Sequence, residues 1–313
     1  MPSRHQSPGG GVISRRQLWS LVALTLMWGI NWPMMKYSLR ELSPLYFRAL
    51  TMSFGALWLF CFYRFKGVRM WPQVTEWRSV VTLGLPNVLG WHTLAILGVK
   101  ELASGRAAIL GFTMPIWTVL LGIVFFKEKL TPRIGLAVLA VALAIGLLTF
   151  NELTALSGKP LGIVWMELAA LAWAAGTLMM RRAHLSMPME TLTVWMLILA
   201  SICLWGLAVV LEPWPAWQFS VPMWGSLVYG ALINYGFAQI IWFGMARHLP
   251  PTTSAMSIMA IPLIGTLTAT LIVGEAPGWQ DFVAVLCVMA AIAAVLLPPR
   301  RPPTPKPSNK ASS

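Results

Sequence analysis

The chain has 313 residues and a formal net charge of +13, and it is 57% hydrophobic but only 11% charged. Soluble domains carry about 25% charged residues, so this composition excludes a water-soluble globular protein of this size. The basic residues gather at the ends of apolar stretches and in the tails, as in a membrane protein, and they form no surface suited to nucleic acid.

Ten apolar stretches follow one another along the chain, and each has the length of about 20 residues that spans a bilayer core. They cover residues 17–37, 44–64, 77–98, 104–126, 132–150, 160–181, 189–211, 222–246, 251–273 and 279–297. The expected fold is an all-α polytopic membrane protein with ten transmembrane helices. An N-terminal tail (1–16) precedes them, and a Pro-rich tail (298–313), expected to be disordered, follows.

The basic residues are divided unequally between the two sides of the predicted membrane. With ten spans both termini lie on one side, and 17 of the 23 Lys and Arg residues fall on that side. Because basic residues concentrate on the cytoplasmic side, both termini are expected to be cytoplasmic.

The second half of the chain repeats features of the first half at an offset of 145–147 residues. The matched pairs are Trp28 with Trp173, Asn87 with Asn234, Pro115 with Pro262, and Glu128 with Glu275. The sequence therefore predicts two repeats of five helices, residues 17–150 and 160–297. Five is odd, so the second repeat would be inverted in the membrane. Inverted repeats are typical of secondary transporters whose substrate site lies near the midplane.

Three segments resemble the drug/metabolite transporter superfamily of the EamA type. They are MWGINWPMMKYSLRELSPLYFRAL, MPIWTVLLGIVFFKEKLTPRIGLAVLAVALAIGLL and IPLIGTLTATLIVGEAPGWQDFVAVLCVMAAIAAVLL. The resemblance covers roughly residues 17–297. It implies ten helices in two inverted repeats and export of small metabolites from the bacterial cytoplasm, and the chain looks most like the bacterial aromatic amino-acid exporters. The second copy departs from the pattern, because GEAPGWQD lacks the Leu-Thr after Glu.

Polar and aromatic side chains inside the predicted spans are candidates for substrate contacts, because polar groups are costly in lipid. Trp28, Asn31 and Met35 share one helical face, and Trp173 and Thr177 share another. We expect the repeat to bring the two faces together near the midplane. The residues expected to join them are His92, Asn234, Tyr235 and Gln239. Helix packing is the alternative role for each.

Six tryptophans fall well inside the predicted spans. As a set they could form a wall that stacks on a zwitterion, although packing is the commoner role for any single one. They are Trp28, Trp32, Trp91, Trp117, Trp173 and Trp242.

Two further groups of residues are expected to serve gating and coupling. Pro115 and Pro262 lie in mid-span at matched positions and are candidate hinges. His92 and Glu167 are ionisable groups inside spans and are candidates for ion coupling, although two isolated groups do not define a proton relay. Arg48 lies closer to a span end without an evident partner in the second half, and we interpret it as a structural residue that caps or pairs.

The function that fits these features is export of neutral, apolar or aromatic amino acids and related metabolites across the bacterial inner membrane by alternating access. The alternative is a drug or other metabolite exporter of the same fold. A membrane-embedded enzyme would need converging catalytic groups, and a receptor or scaffold would not need the repeat. The sequence holds no Walker motif, so direct use of ATP is not expected. The three cysteines lie inside apolar stretches, so neither a disulfide framework nor a metal site is expected. No cofactor and no obligate protein partner is expected either. The expected partners are a small-molecule substrate and the lipid bilayer.

Overall fold

The computed structural model describes residues 14–155, 158–246 and 251–296, without the side chains of 245, 246 and 251–258. This part of the chain is helical and contains no strand. The predicted C-terminal tail (298–313) and most of the predicted N-terminal tail (1–16) lie outside the described residues.

The helices follow the apolar stretches closely. They are α1 (Arg15–Ser38), α2 (Pro44–Phe65), α3 (Val74–Glu101), α4 (Ser104–Phe126), α5 (Pro132–Thr154), α6 (Leu161–Arg182), α7 (Met189–Leu211), α8 (Val221–Gly244), α9 (Pro251–Ile272) and α10 (Trp279–Leu296). Among the described residues, nine of these are long and apolar enough to cross a membrane, and α9 contains the shorter apolar stretch Met259–Ile272. Nine of the ten predicted spans are thus confirmed by length and composition, and the remaining one, 251–273, stays a prediction.

Several helices begin where the sequence supplies a cap. The Ser14 side chain accepts a hydrogen bond from the Gln17 backbone N–H, and the Gln17 side-chain oxygen accepts one from the Ser14 N–H. Thr131 and Ser220 cap α5 and α8 in a similar way. These contacts satisfy N–H groups that have no partner within the helix.

Three helices are irregular near their middle. α3 passes through a π-helix at Leu85–Gly90, and α8 passes through one at Tyr229–Phe237. The two π-helices contain Asn87 and Asn234, which are a matched pair. α4 is interrupted at Phe112 and Thr113, between the helical segments Ser104–Gly111 and Met114–Phe126. Irregular backbone of this kind inside a membrane span is tolerated where it is buried in protein or lines a cavity, and π-bulges are frequent at functional sites.

The packing contacts follow the repeat. When both helices of a contacting pair are replaced by the helices five positions away in the chain, the result is another contacting pair. α1 packs on α9 and α6 on α4, while α2 packs on α8 and α7 on α3. α5 packs on its own counterpart, α10, and α2 on its counterpart, α7. The left-handed residues Lys127 (φ 54°) and Gly274 (φ 75°) also lie 147 positions apart, each just before a matched glutamate. This pattern is the one expected of two related five-helix units, although the boundaries at 150 and 160 remain a prediction.

One end of the bundle is held together by acids of one half that bind helix N-termini of the other half. We call it the latch end; it carries residues 39–43, 102–103, 155, 158–160, 212–220 and 273–278. Glu212 accepts hydrogen bonds of 3.0 and 3.2 Å from the backbone N–H groups of Leu45 and Tyr46. Glu275 accepts bonds of 2.9 and 2.8 Å from the N–H and the hydroxyl of Ser104. A carboxylate suits a helix N-terminus because it meets both unpaired N–H groups and the positive end of the helix dipole.

The latch end also contains a buried ion-pair cluster. Arg106 Nε donates to Asp281 Oδ1 at 2.7 Å, its Nη2 lies 3.4 Å from Asp281 Oδ2, and its Nη1 donates to Glu152. Glu41 accepts hydrogen bonds from the hydroxyl and N–H of Ser220, and these bonds hold the pKa of Glu41 below its usual value. The latch end is therefore closed by contacts that join the two halves.

Candidate substrate site

A carboxylate lies beside the interruption in α4. Glu167, on α6, lies with its Oε2 3.1 Å from the hydroxyl of Thr113, and it accepts a 2.7 Å hydrogen bond from the indole N–H of Trp117. Thr113 lies within the interruption, and its hydroxyl is also 2.8 Å from the Leu110 carbonyl. A hydroxyl has one proton to donate, so it can serve only one of these two acceptors at a time. The arrangement therefore suits Glu167 both as a carboxylate that accepts from Thr113 and as an acid that donates to it.

Glu167 forms no ion pair in the part of the chain that the structure describes. The ion pairs there join Arg69 to Glu76, Arg106 to Glu152 and Asp281, and Lys159 to Glu101. Both donors to Glu167 are neutral, and both come from the first half of the chain, whereas Glu167 belongs to the second. The contact thus crosses between the halves.

A guanidinium group is buried in a second cluster. Arg48, on α2, is only 3% exposed, and its Nη1 donates a 3.1 Å hydrogen bond to the Tyr235 hydroxyl. Its Nη2 lies against the sulfur of Met35, and its Nε has no hydrogen-bond partner. The ring of His92 lies 5.4 Å from that of Tyr235, and the His92 Nδ1 is 3.0 Å from the Val88 carbonyl.

Arg48 lies near a span end, as expected, and its structural role stays a prediction; the structure adds a partner that the sequence did not show. Its Cα lies one turn into α2, but the long side chain extends into the protein and meets Tyr235 of the second half. A partner in the second half therefore exists. It is a phenol and not a carboxylate, so the positive charge of Arg48 is not neutralised.

Four aromatic rings form a cluster, and two of its members are next in sequence to residues of the Glu167 and Arg48 groups. The centroid of Trp32 is 6.4 Å from those of Trp91 and Phe112, and Trp91 is 5.3 Å from Trp173. We call Trp32, Trp91, Phe112 and Trp173 the aromatic cluster. Phe112 directly precedes Thr113, and Trp91 directly precedes His92, so the cluster is next to the Glu167 and Arg48 groups in sequence.

The structure brings together some of the predicted site residues. Met35, His92 and Tyr235 meet around Arg48. Trp173 belongs to the aromatic cluster, whereas Trp28 packs against Trp242 with ring centroids 5.6 Å apart. The rings of Trp28 and Trp173 thus pair with different tryptophans.

The four remaining residues of the predicted site show burial but no decisive contact. Asn31 and Asn234 are each 8% exposed, and Thr177 and Gln239 are partly buried. Their role in contacting a substrate stays a prediction.

Comparison with known proteins identifies the family. The EamA-like transporter family matches residues 16–150 and, a second time, residues 160–297. The chain belongs to the EamA-like transporter family. It is a membrane transporter, and the two matched ranges fit the two halves of the helical pattern.

Relatives of the transporter carry transporter names. The chain is 21% identical to the uncharacterized transporter YoaV of Bacillus subtilis, over 78% of this chain and 84% of that one. It is 26% identical to an uncharacterized transporter of Archaeoglobus fulgidus, over 88% and 95% of the two chains. It is 22% identical to the uncharacterized inner membrane transporter YedA of Escherichia coli K12, over 89% and 90%. A crystal structure with a TM-score of 0.62 and 21% identity covers 91% of this chain and 99% of its own, and it shows the same fold.

The two candidate hinges have different local structures. Pro115 lies in the first turn of the second segment of α4, directly after the interruption, whereas Pro262 lies inside an uninterrupted helix. The expectation that the two prolines occupy equivalent places is therefore wrong in their local geometry. Gly111, a residue with low helix propensity, directly precedes the interruption and is closely approached by the Trp32 ring, whereas the matched position in α9 is Ile258. The hinge roles themselves stay predictions.

Sequence reasoning found His92 and Glu167 but assigned Trp117 only to a general set of tryptophans and did not select Arg48. The spacing of Thr113 and Trp117 carried a usable signal, because residues four apart on a helix share a face and can bind one carboxylate together. Arg48 gave no such signal, because its partners are separated from it along the chain by up to 187 residues.

Proposed function

We propose that the transporter exports neutral amino acids with apolar or aromatic side chains, and related metabolites, by alternating access. The observation that carries this proposal is the aromatic cluster between the two halves, flanked by polar side chains. Aromatic rings offer apolar contact and stacking to a substrate side chain, and they attract a cationic ammonium group.

The polar contacts to the amino-acid head are assigned to side chains of both halves. In this proposal Asn31, Thr177 and Gln239 bind the head, together with Asn234 and Tyr235. Trp28, Met35 and Trp173 contact the substrate side chain, and His92 joins the two groups. Inverted-repeat transporters place their substrate sites near the midplane between the repeats, and contributions from both halves agree with such a site.

Glu167 is the residue we propose for coupling to protons. Its position at the interruption of α4, and its single-proton contact with Thr113, suit a carboxyl group that changes protonation during the transport cycle. His92 is the second candidate, because its Nδ1 bonds to the Val88 carbonyl and its Nε2 is left for a second proton. Uniport down the substrate gradient is the alternative.

We further propose that both termini are cytoplasmic and that the protein lies in the bacterial inner membrane. The latch end would then face outward, and its closure would make this conformation inward-facing. A groove of about 450 Å³ lies near the opposite end, between α3, α4 and α6, and its lining contains none of the proposed site residues. Reporter fusions after residues 155 and 215 should be active only outside the cytoplasm, and cytoplasmic activity at both would contradict the inverted repeat.

The function is tested with purified protein in liposomes and a panel of labelled amino acids. We expect counterflow of phenylalanine, tryptophan and leucine above that of protein-free liposomes, and none for lysine or glutamate. A folded protein that moves organic cations or other metabolites but no amino acid would establish the alternative, an exporter of drugs or other metabolites. The same vesicles with and without a pH gradient separate proton antiport from uniport.

A further inference from the structure

We propose that Arg48 is the subsite that binds the carboxylate of the transported substrate. The inference rests on the proposed function. It adds which residue binds the carboxylate of the substrate and which edge of the guanidinium group makes the contact. It implies selection for molecules that carry a carboxylate, and not merely for molecules of the right shape.

The charge of Arg48 has no counter-ion among the residues that the structure describes. All ten acidic residues of the chain lie among the described residues, and none forms an ion pair with Arg48. Burying an unpaired charge is costly, and buried charges in proteins are normally paired or bind a ligand. A charge that the protein leaves unpaired in its interior is available to an anion.

The edge of Arg48 that lacks an oxygen partner has the geometry that carboxylates prefer. Tyr235 occupies Nη1, while Nε has no partner and Nη2 meets only the thioether of Met35, which is a weak acceptor. Nε and Nη2 form the side edge of the guanidinium plane, and two parallel N–H groups there can hold both oxygens of a carboxylate.

Arg106 shows this edge in use within the same protein. Its Nε and Nη2 face the two oxygens of Asp281, at 2.7 and 3.4 Å. In Arg106 the edge is filled by a side chain of the protein. In Arg48 the same edge is left open, and the substrate carboxylate would take the place that Asp281 takes at Arg106.

The location of Arg48 suits a site that opens during transport. Its neighbours come from both halves: Met35 on α1 and His92 on α3 belong to the first, and Tyr235 on α8 to the second. Movement of the two halves against each other would separate Arg48 from Tyr235 and expose the open edge. Trp91, which directly precedes His92 in sequence, belongs to the aromatic cluster that we assign to the substrate side chain.

The test compares L-phenylalanine with L-phenylalaninol, which keeps the ring and the ammonium group but has an alcohol in place of the carboxylate. Both are measured as competitors of labelled phenylalanine counterflow and by thermal melting of the purified protein. Arg48→Gln should weaken phenylalanine about tenfold to a hundredfold, the effect of one or two lost charge-assisted hydrogen bonds, and should leave phenylalaninol unchanged. Arg48→Lys should bind phenylalanine with an affinity between those of the wild type and Arg48→Gln, because lysine keeps the charge but not the planar edge. Arg64→Gln, at an exposed arginine near the other end of α2, is the matched control and should behave as wild type.

The possible outcomes separate this inference from the proposed function. Suppose that the wild type transports phenylalanine. If Arg48→Gln then weakens the binding of phenylalanine and phenylalaninol equally, or changes the binding of neither, the inference is wrong and the proposed function stands. If the wild type transports no amino acid, the proposed function is wrong. Phenylacetate and 2-phenylethanol then test Arg48 alone in melting experiments. A stabilisation by phenylacetate that Arg48→Gln abolishes supports the subsite, and no stabilisation of the wild type overturns it.

A second variant serves if Arg48→Gln does not fold. Tyr235→Phe keeps the arginine and removes the hydroxyl that positions Nη1 and that, in this proposal, contacts the carboxylate end of the head. It should weaken phenylalanine several-fold without a change for phenylalaninol, whereas a purely structural role would change both alike.

Discussion

The latch end and the interior of the transporter use the same kinds of charged side chain in opposite ways. At the latch end Arg106 is bound by Asp281 of the other half and by Glu152 of its own half, so acids and base neutralise each other within the protein. In the interior Glu167 and Arg48 are each bound by neutral groups of the opposite half. The first arrangement satisfies charges within the protein and joins the halves. The second keeps a carboxylate and a guanidinium group available to something that is not part of the chain.

The largest effect on stability is expected from breaking the latch. Asp281→Asn leaves the Nε edge of Arg106 without a carboxylate and should cost about 2 kcal/mol, as for the loss of hydrogen bonds to a charged group. Arg48→Met, by contrast, removes a buried charge that has no ionic partner and should leave the melting temperature unchanged or raise it. Melting curves of the two purified variants, side by side, check this. A greater loss of stability in Arg48→Met than in Asp281→Asn would show that Arg48 is structural after all.

The largest effect on transport is expected at Glu167. Glu167→Gln keeps the shape and the contact with Trp117 but cannot exchange a proton, so stimulation of export by a pH gradient should disappear. Exchange of labelled for unlabelled phenylalanine should persist, because it requires no net proton movement. Glu101→Gln, at an acid of the latch end that pairs with Lys159, is the control and should keep the stimulation. Full stimulation in Glu167→Gln would assign coupling to His92 or establish uniport.

The two prolines should now differ in effect. Pro262→Ala restores a backbone donor inside a continuous helix and should straighten it, with reduced transport and near-normal insertion into the membrane. Pro115→Ala should have a smaller effect, because a proline in the first turn of a helix interrupts little. Initial rates for both single variants and the double variant decide the matter. Wild-type rates in all three would mean that the prolines serve packing only.

A smaller change, in preference and not in overall rate, is expected from the aromatic cluster. Trp173→Ala removes one ring and should lower the preference for phenylalanine over leucine by about two- to tenfold, the value of one aromatic contact. Trp19→Ala is the control, because Trp19 is 71% exposed and distant from the cluster in sequence. An unchanged preference in Trp173→Ala would place the substrate side chain elsewhere.

The sequence predicted the helices well and the site only in part, for a physical reason. Apolar blocks of bilayer length fixed the ends of α2 and α7 to within about a residue, because the hydrocarbon core sets the length of a span. The interruption of α4, by contrast, lies next to Gly111, which is closely approached by Trp32 from a distant part of the chain. The depth of Arg48 depends on a phenol 187 positions away, and no local pattern reports such a contact. His92 and Glu167 could be found because an ionisable residue in an apolar stretch is a local signal.

The central claim is that an amino-acid head is bound by polar side chains of both halves at once. Its most direct test is the counterflow of labelled phenylalanine and labelled leucine in liposomes that contain wild type, Asn31→Ala or Gln239→Ala. A lost polar contact costs roughly 1–3 kcal/mol, or about tenfold to a hundredfold in affinity. Each variant should therefore weaken both substrates to the same extent, because both share the same head. Wild-type rates and affinities in both variants, at normal expression, would contradict the claim and leave these side chains as packing residues.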